Sequence, residues 1–104
     1  MEKEEVVLNN EENTLEKTLF LFMAKAEDDP RLGPPHISLY LSLLLQFKKQ
    51  GCVNPISVFS KSLRSTAKIA ARVTYQKCIH ELKEYGYIDY HPSYNHTLGN
   101  LFWV

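Results

Sequence analysis

Between Pro30 and His80 the chain contains no aspartate and no glutamate. The same stretch holds eight bases: Arg31, Lys48, Lys49, Lys61, Arg64, Lys68, Arg72 and Lys77. The acids lie elsewhere. Nine of them crowd into residues 1–29 beside three lysines, so a formal net charge of 0 conceals a basic centre. Salt screens charges beyond about 8–10 Å, so a phosphate responds to that local excess and not to the total. The plain alternative is a solvated basic surface with no partner.

Other absences narrow the reading. Only two cysteines occur, Cys52 and Cys78, too few for a disulfide framework. In a reducing compartment they are expected to be small core or boundary residues. No apolar run approaches the ~18 residues needed to span a bilayer, so no membrane partner is expected. The first residues are acidic and lack the basic-then-apolar order of a secretion signal, which predicts a cytoplasmic protein. No phosphate loop, activated nucleophile or carboxylate pair stands out. The histidines His36, His80, His91 and His96 do not fall at zinc spacings with the cysteines. An enzyme, a cofactor and a small-molecule ligand are therefore not expected.

What is there is a hydrophobic fraction of 44% in 104 residues, enough for one domain around a single core. Residues 1–12 are polar and acidic and read as a flexible tail; 13–104 read as the domain. Asn13 with Glu16 forms a capping-box pattern and predicts a helix from Thr14 to Ala26. Leu15, Leu19, Phe22, Met23 and Ala26 make one stripe on it, with Phe20 and Leu21 off the stripe. This extra N-terminal helix (13–26) is either sandwiched within the domain or in contact with a second copy. Asp28-Asp29-Pro30 ends it. After Pro34-Pro35 a second helix runs from His36 to Gln50, apolar except for Ser38, Ser42, Gln46 and Lys49. It is predicted to be the central buried strut.

Asn54-Pro55 breaks the helical pattern, and Ile56-Ser57-Val58-Phe59 reads as a brief strand. A short helix from Ser60 to Thr66 follows, anchored by Leu63, and then the turn Lys68-Ile69-Ala70. The stretch from Arg72 to Ile88 is the most informative. Tyr75, Ile79 and Leu82 share one helical face, with Cys78 and Tyr85 beside it; Arg72, Gln76, Lys77 and His80 lie on the other. Gly86 stands where a left-handed C-terminal cap belongs. Two helices joined by a short turn, the second basic at its start, form a helix-turn-helix. Residues 87–91 and 100–104 read as strands around the turn-formers of 92–99, a wing. The predicted fold is α+β, mostly α: a winged helix-turn-helix with an extra N-terminal helix and a C-terminal β-hairpin wing. Arg can read guanine and Gln adenine bidentately, for roughly 1–3 kcal/mol of discrimination each, whereas lysines add affinity with little sequence information. An ordinary wet helix face is the competing reading.

The segments HISLYLSLL, NPISVF and KIAARVTYQKCIHELKEYGYIDYHPS resemble a group of small bacterial winged-helix proteins, described as transcriptional regulators and often associated with mobile elements. They are similar, more loosely, to MarR-like and replication-initiator-like winged helices. In those families an apolar, apolar, Leu, Gly pattern marks the recognition helix and its exit, and here it falls on Tyr75, Ile79, Leu82 and Gly86. The resemblance covers about two thirds of the chain. It implies that Arg72, Thr74, Gln76 and Lys77 face a groove and that His80 lies near the backbone. It implies that Lys61, Arg64 and Lys68 hold phosphates. Two departures stand out. Ala70-Ala71 replaces the usual Ser or Thr cap, at a cost of ~1 kcal/mol. The wing tip offers Asn95 and His96 as its DNA contacts but no base, which counts against insertion into a minor groove. The expectation is a homodimeric protein that binds double-stranded DNA and regulates transcription. The alternatives are a replication or excision accessory protein of a mobile element, and a protein-interaction module that has kept the fold without DNA binding.

Overall fold

The computed structural model describes residues 10–94 and 97–104, so positions 1–9 of the expected tail and the wing-tip pair Asn95 and His96 lie outside the described residues. The elements in order are α1 (Asn10–Glu27), α2 (Pro34–Lys49), β1 (Ile56–Val58), α3 (Ser60–Ala67), α4 (Arg72–Glu84), β2 (Asp89–His91) and β3 (Asn100–Trp103). The strands form one antiparallel sheet in the order β1-β3-β2. This is the α+β, mostly helical winged-helix topology that the sequence predicts, with β2 and β3 as the hairpin wing.

Helix α2 is the strut. It buries Leu39, Tyr40, Leu43, Leu44 and Phe47. It starts at Pro34, because prolines fill the first two helical positions, where no amide is needed. Gly33 at the N-cap has no side chain to offer the first amides. Instead His36 reaches back, and its Nδ1 accepts the Gly33 N–H at 2.9 Å. The ring proton then sits on Nε2 and is donated to Glu81 Oε1 of α4 at 2.8 Å. That bond is the chief reason the Glu81 carboxyl lies below the usual carboxylate range.

The two serines in the polar stripe of α2 are drawn out of water. Ser42 is buried and Ser38 half-buried. The Ser38 hydroxyl donates to the Ala67 carbonyl at the end of α3, and the Ser42 hydroxyl to the Ser38 carbonyl at 2.8 Å. A hydroxyl that finds a backbone acceptor is buried at little cost. The small serines let α3 approach closely, and the helix turns Leu41 and Leu45 outward, each 42% exposed.

Helix α1 begins at Asn10, so Asn13 and Glu16 lie in its body and do not cap it. Glu11 and Glu12 suit this extension, since acids favour a helix N-terminus. Of the predicted stripe only Phe22 is buried; Leu15 and Ala26 are partly covered, and Leu19 and Met23 are exposed. Phe22 stacks on Tyr40 with centroids 3.7 Å apart and meets the edge of Tyr87 at 5.4 Å. Burial pushes the Tyr40 hydroxyl up to about 12.

The sheet is completed by side chains. The Asn54 amide pairs with both backbone groups of Val104 at 3.1 Å, extending the β1–β3 ladder by one step. The Gln50 amide occupies the N–H and C=O of Ser57 on edge strand β1. A Cβ on Gly99 would lie 2.7 Å from Ser57 Oγ and 2.8 Å from Val58 N, so only glycine lets the wing close on β1. Strand β2 starts at Asp89, later than predicted, because the exit of α4 consumes the preceding residues. Gly86 is left-handed (φ 86°), its N–H donates to Lys83 O, and the Tyr87 N–H donates to Leu82 O, a Schellman arrangement.

Candidate nucleic-acid interface

Helix α3 buries Leu63 and Ala67, and Ile69 is buried in the turn that follows. Lys68 closes α3 in the left-handed region (φ 63°), a conformation that costs a side-chain-bearing residue roughly 1–2 kcal/mol. The rotation of α4 is then fixed by Tyr75, Cys78, Ile79 and Leu82, all buried. Tyr75 is a core residue with no exposed surface, not a stacking platform. Its hydroxyl reaches Ser60 Oγ at 3.5 Å, and Asn100 Nδ2 donates to the same Ser60 oxygen at 3.0 Å. The start of α3, the middle of the first half of α4 and the root of the wing therefore meet at Ser60. The cap of α4 is Ala71, which makes no side-chain bond to the first amides.

This junction opens into a cleft of about 580 Å³. Lys61 and Arg64 of α3, Arg72 and Gln76 of α4, and Ser93 and Asn100 at the wing root line it. Arg64 Nε is buried there with no acceptor. Thr74, Lys77 and His80 are exposed on α4 outside the cleft, and Lys68 is exposed in the turn. Five of the eight central bases thus sit on the helix-turn-helix. Among the described residues none of these five lies within ion-pair distance of a carboxylate. The others are elsewhere: Lys48 and Lys49 end α2, and Arg31 is held by Asp29 at 2.9 Å and lies 4.0 Å over the Tyr85 ring.

Sequence reasoning overlooked Val73. It is 81% exposed in the first turn of α4. An apolar helical residue is assigned to the core by default, but Val73 precedes Tyr75 by two positions, about 200° around the axis. That spacing was the available signal. Farther along, Lys83 Nζ donates to the Tyr90 carbonyl at 3.0 Å and fixes the end of α4 to β2. His91 meets the Trp103 ring edge-on at 5.0 Å, so its ring is engaged with the wing itself.

Cys52 and Cys78 are not joined in a disulfide. Among the described residues no group of three or more His, Cys, Asp or Glu side chains is placed to hold a metal ion. No described helix is long and apolar enough to cross a membrane. No protein-family model, no curated protein and no solved structure matches this chain.

Proposed function

We propose that this chain binds double-stranded DNA, placing α4 in the major groove, and that it regulates transcription. The observation that carries the reading is the set Lys61, Arg64, Lys68, Arg72 and Lys77 on one helix-turn-helix of a neutral chain, none of them ion-paired among the described residues. Phosphate neutralisation by such a cluster supplies affinity for any duplex, and the exposed polar residues of α4 supply the choice of sequence. Homodimer formation belongs to the same reading. Phe20, Leu21 and Met23 on α1 are 72%, 54% and 41% exposed, an apolar face that a second copy covers.

Titration of random duplex at two salt concentrations tests the proposal. Three to five phosphate contacts give a log–log slope of about −3 to −5. A slope near zero removes DNA from the reading. The apolar α1 face then favours a protein-interaction module, in which α1 meets a different chain. A replication or excision role shares the DNA-binding step, and a reporter fused to a recovered binding site separates it from transcriptional control.

A further inference from the structure

Four buried residues set which way α4 faces, and they leave a defined outward stripe. Val73 lies nearly opposite Tyr75, Lys77 and His80 follow it one and two turns later, and Gln76 lies at the rim between that stripe and the cleft. Arg72 is not on that stripe. It is turned toward α3 and the wing root, deeper in the cleft that it shares with Lys61, Arg64 and the rim residue Gln76. That position suits a phosphate beside the groove better than a base edge within it.

The N-terminal turns of a recognition helix are the part that reaches base edges. A β-branched apolar residue exposed there gains nothing from the fold, and it is weaker as a helix former than alanine. In the major groove the apolar feature on offer is the 5-methyl of thymine, and the amide of glutamine matches N6 and N7 of adenine. A guanidinium flanked by two other cations in a cleft beside the helix suits a phosphate that runs along the groove edge.

We infer that α4 reads an A·T-containing step, with Val73 against a thymine methyl, Gln76 on adenine, and Arg72 diverted to a backbone phosphate. This rests on the DNA-binding reading above. Val73 is the specificity-determining residue, and Arg72 is a positioning residue.

The test begins with duplexes recovered by the wild-type chain from a random pool. Each is then synthesised with deoxyuridine in place of thymidine, which removes only the 5-methyl groups. Wild type is expected to bind the deoxyuridine duplex about three- to five-fold more weakly, the effect of losing one buried methyl contact. Val73→Ala is expected to bind both duplexes alike, at the weaker level. Its fold is not at risk, since the side chain touches solvent and alanine is the better helix former. Arg72→Ala is expected to weaken every duplex by the same factor while recovering the same sequences. Equal binding of thymidine and deoxyuridine duplexes by wild type overturns the inference and leaves DNA binding standing. So does loss of a guanine preference in Arg72→Ala. Failure of wild type to bind any duplex in a salt-dependent way removes the DNA reading itself, and the inference falls with it.

Discussion

Helix α1 has 18 residues and, among its described side chains, buries one, Phe22. Helix α4 has 13 and buries four. The longer helix has one buried aromatic plug, Phe22 against Tyr40 and Tyr87, with Leu15 and Ala26 partly covered, while the shorter is locked in rotation along its length. Their outer faces differ in the same sense. That of α4 is polar and basic, with Val73 as its one large apolar residue; that of α1 shows Phe20, Leu21 and Met23. A face that must address a nucleic acid has to be aimed, and aiming needs several buried anchors. On the proposed reading α1 meets a second copy, and such a helix can be completed by the contact itself. Helical stability in proteins comes mostly from packing of one face, so α1, with a single buried side chain among those described, has most to gain from a partner.

The largest expected effects separate the two modes of anchoring. Leu82→Ala removes a fully buried side chain of α4 and is expected to lower global stability by about 2–5 kcal/mol. Against a typical total of about 5–15 kcal/mol this is a large loss, visible as a lower urea midpoint for the whole domain. Phe22→Ala is expected to act locally. The amides of α1 should lose hydrogen-exchange protection while those of α2 and α4 keep theirs. Equal loss of protection in both helices would mean that α1 is a full member of the core and the contrast is false.

A pH effect of intermediate size tests whether α1 has a second anchor at its exit. Asp29 accepts bonds from the Arg31 backbone and guanidinium and from the Tyr87 hydroxyl at 2.7 Å. The Arg31 side chain, then Tyr87, hold its carboxyl below its ordinary value of 3.8. A depressed folded-state value stabilises the fold at pH values above 3.8, and the benefit drains away as pH falls toward the lowered value. Asp29→Asn should therefore be less stable than wild type at pH 7. The gap between their urea midpoints should narrow below pH 4. Because Glu81 and Asp89 are depressed as well, chiefly by His36 and by the Tyr90 amide, the difference between the two proteins is the quantity to follow. A gap that stays constant down to pH 3 would show that Asp29 acts through shape and not through charge.

The two helices also differ in how much of them could be read in advance. The register of α4, its Gly86 exit and its position behind a turn all follow from local rules of period and capping, which depend on neighbours in sequence. For α1 and α2 the deciding facts are distant. Ser38 and Ser42 are merely polar exceptions on an apolar helix until the Ala67 carbonyl is brought beside them, 29 residues downstream of Ser38. Asn13 looks like a cap until the preceding residues are seen to continue the helix. For the candidate interface, residue types were legible and their directions were not. Arg72 and Gln76 were both found, but only the meeting of Tyr75 and Asn100 at Ser60 shows that they line a cleft, Arg72 within it and Gln76 at its rim. Val73 was lost because hydrophobicity alone points inward.

The smallest effect bears on where the basic face begins, and one substitution moves two observables in opposite directions. Lys68 holds a left-handed conformation that glycine adopts without a Cβ penalty. Lys68→Gly is expected to raise stability by up to about 1 kcal/mol, since relief of the turn outweighs the added freedom of the unfolded chain. The same change removes an exposed charge from the turn. Affinity for random duplex should fall uniformly across sequences, and the salt slope should become shallower by about 1. Evolution's use of lysine at a position that favours glycine then has a reason in the charge. If stability rises while affinity and slope stay fixed, Lys68 is a strained turn residue only, and the phosphate-facing surface starts at the cleft between α3 and α4.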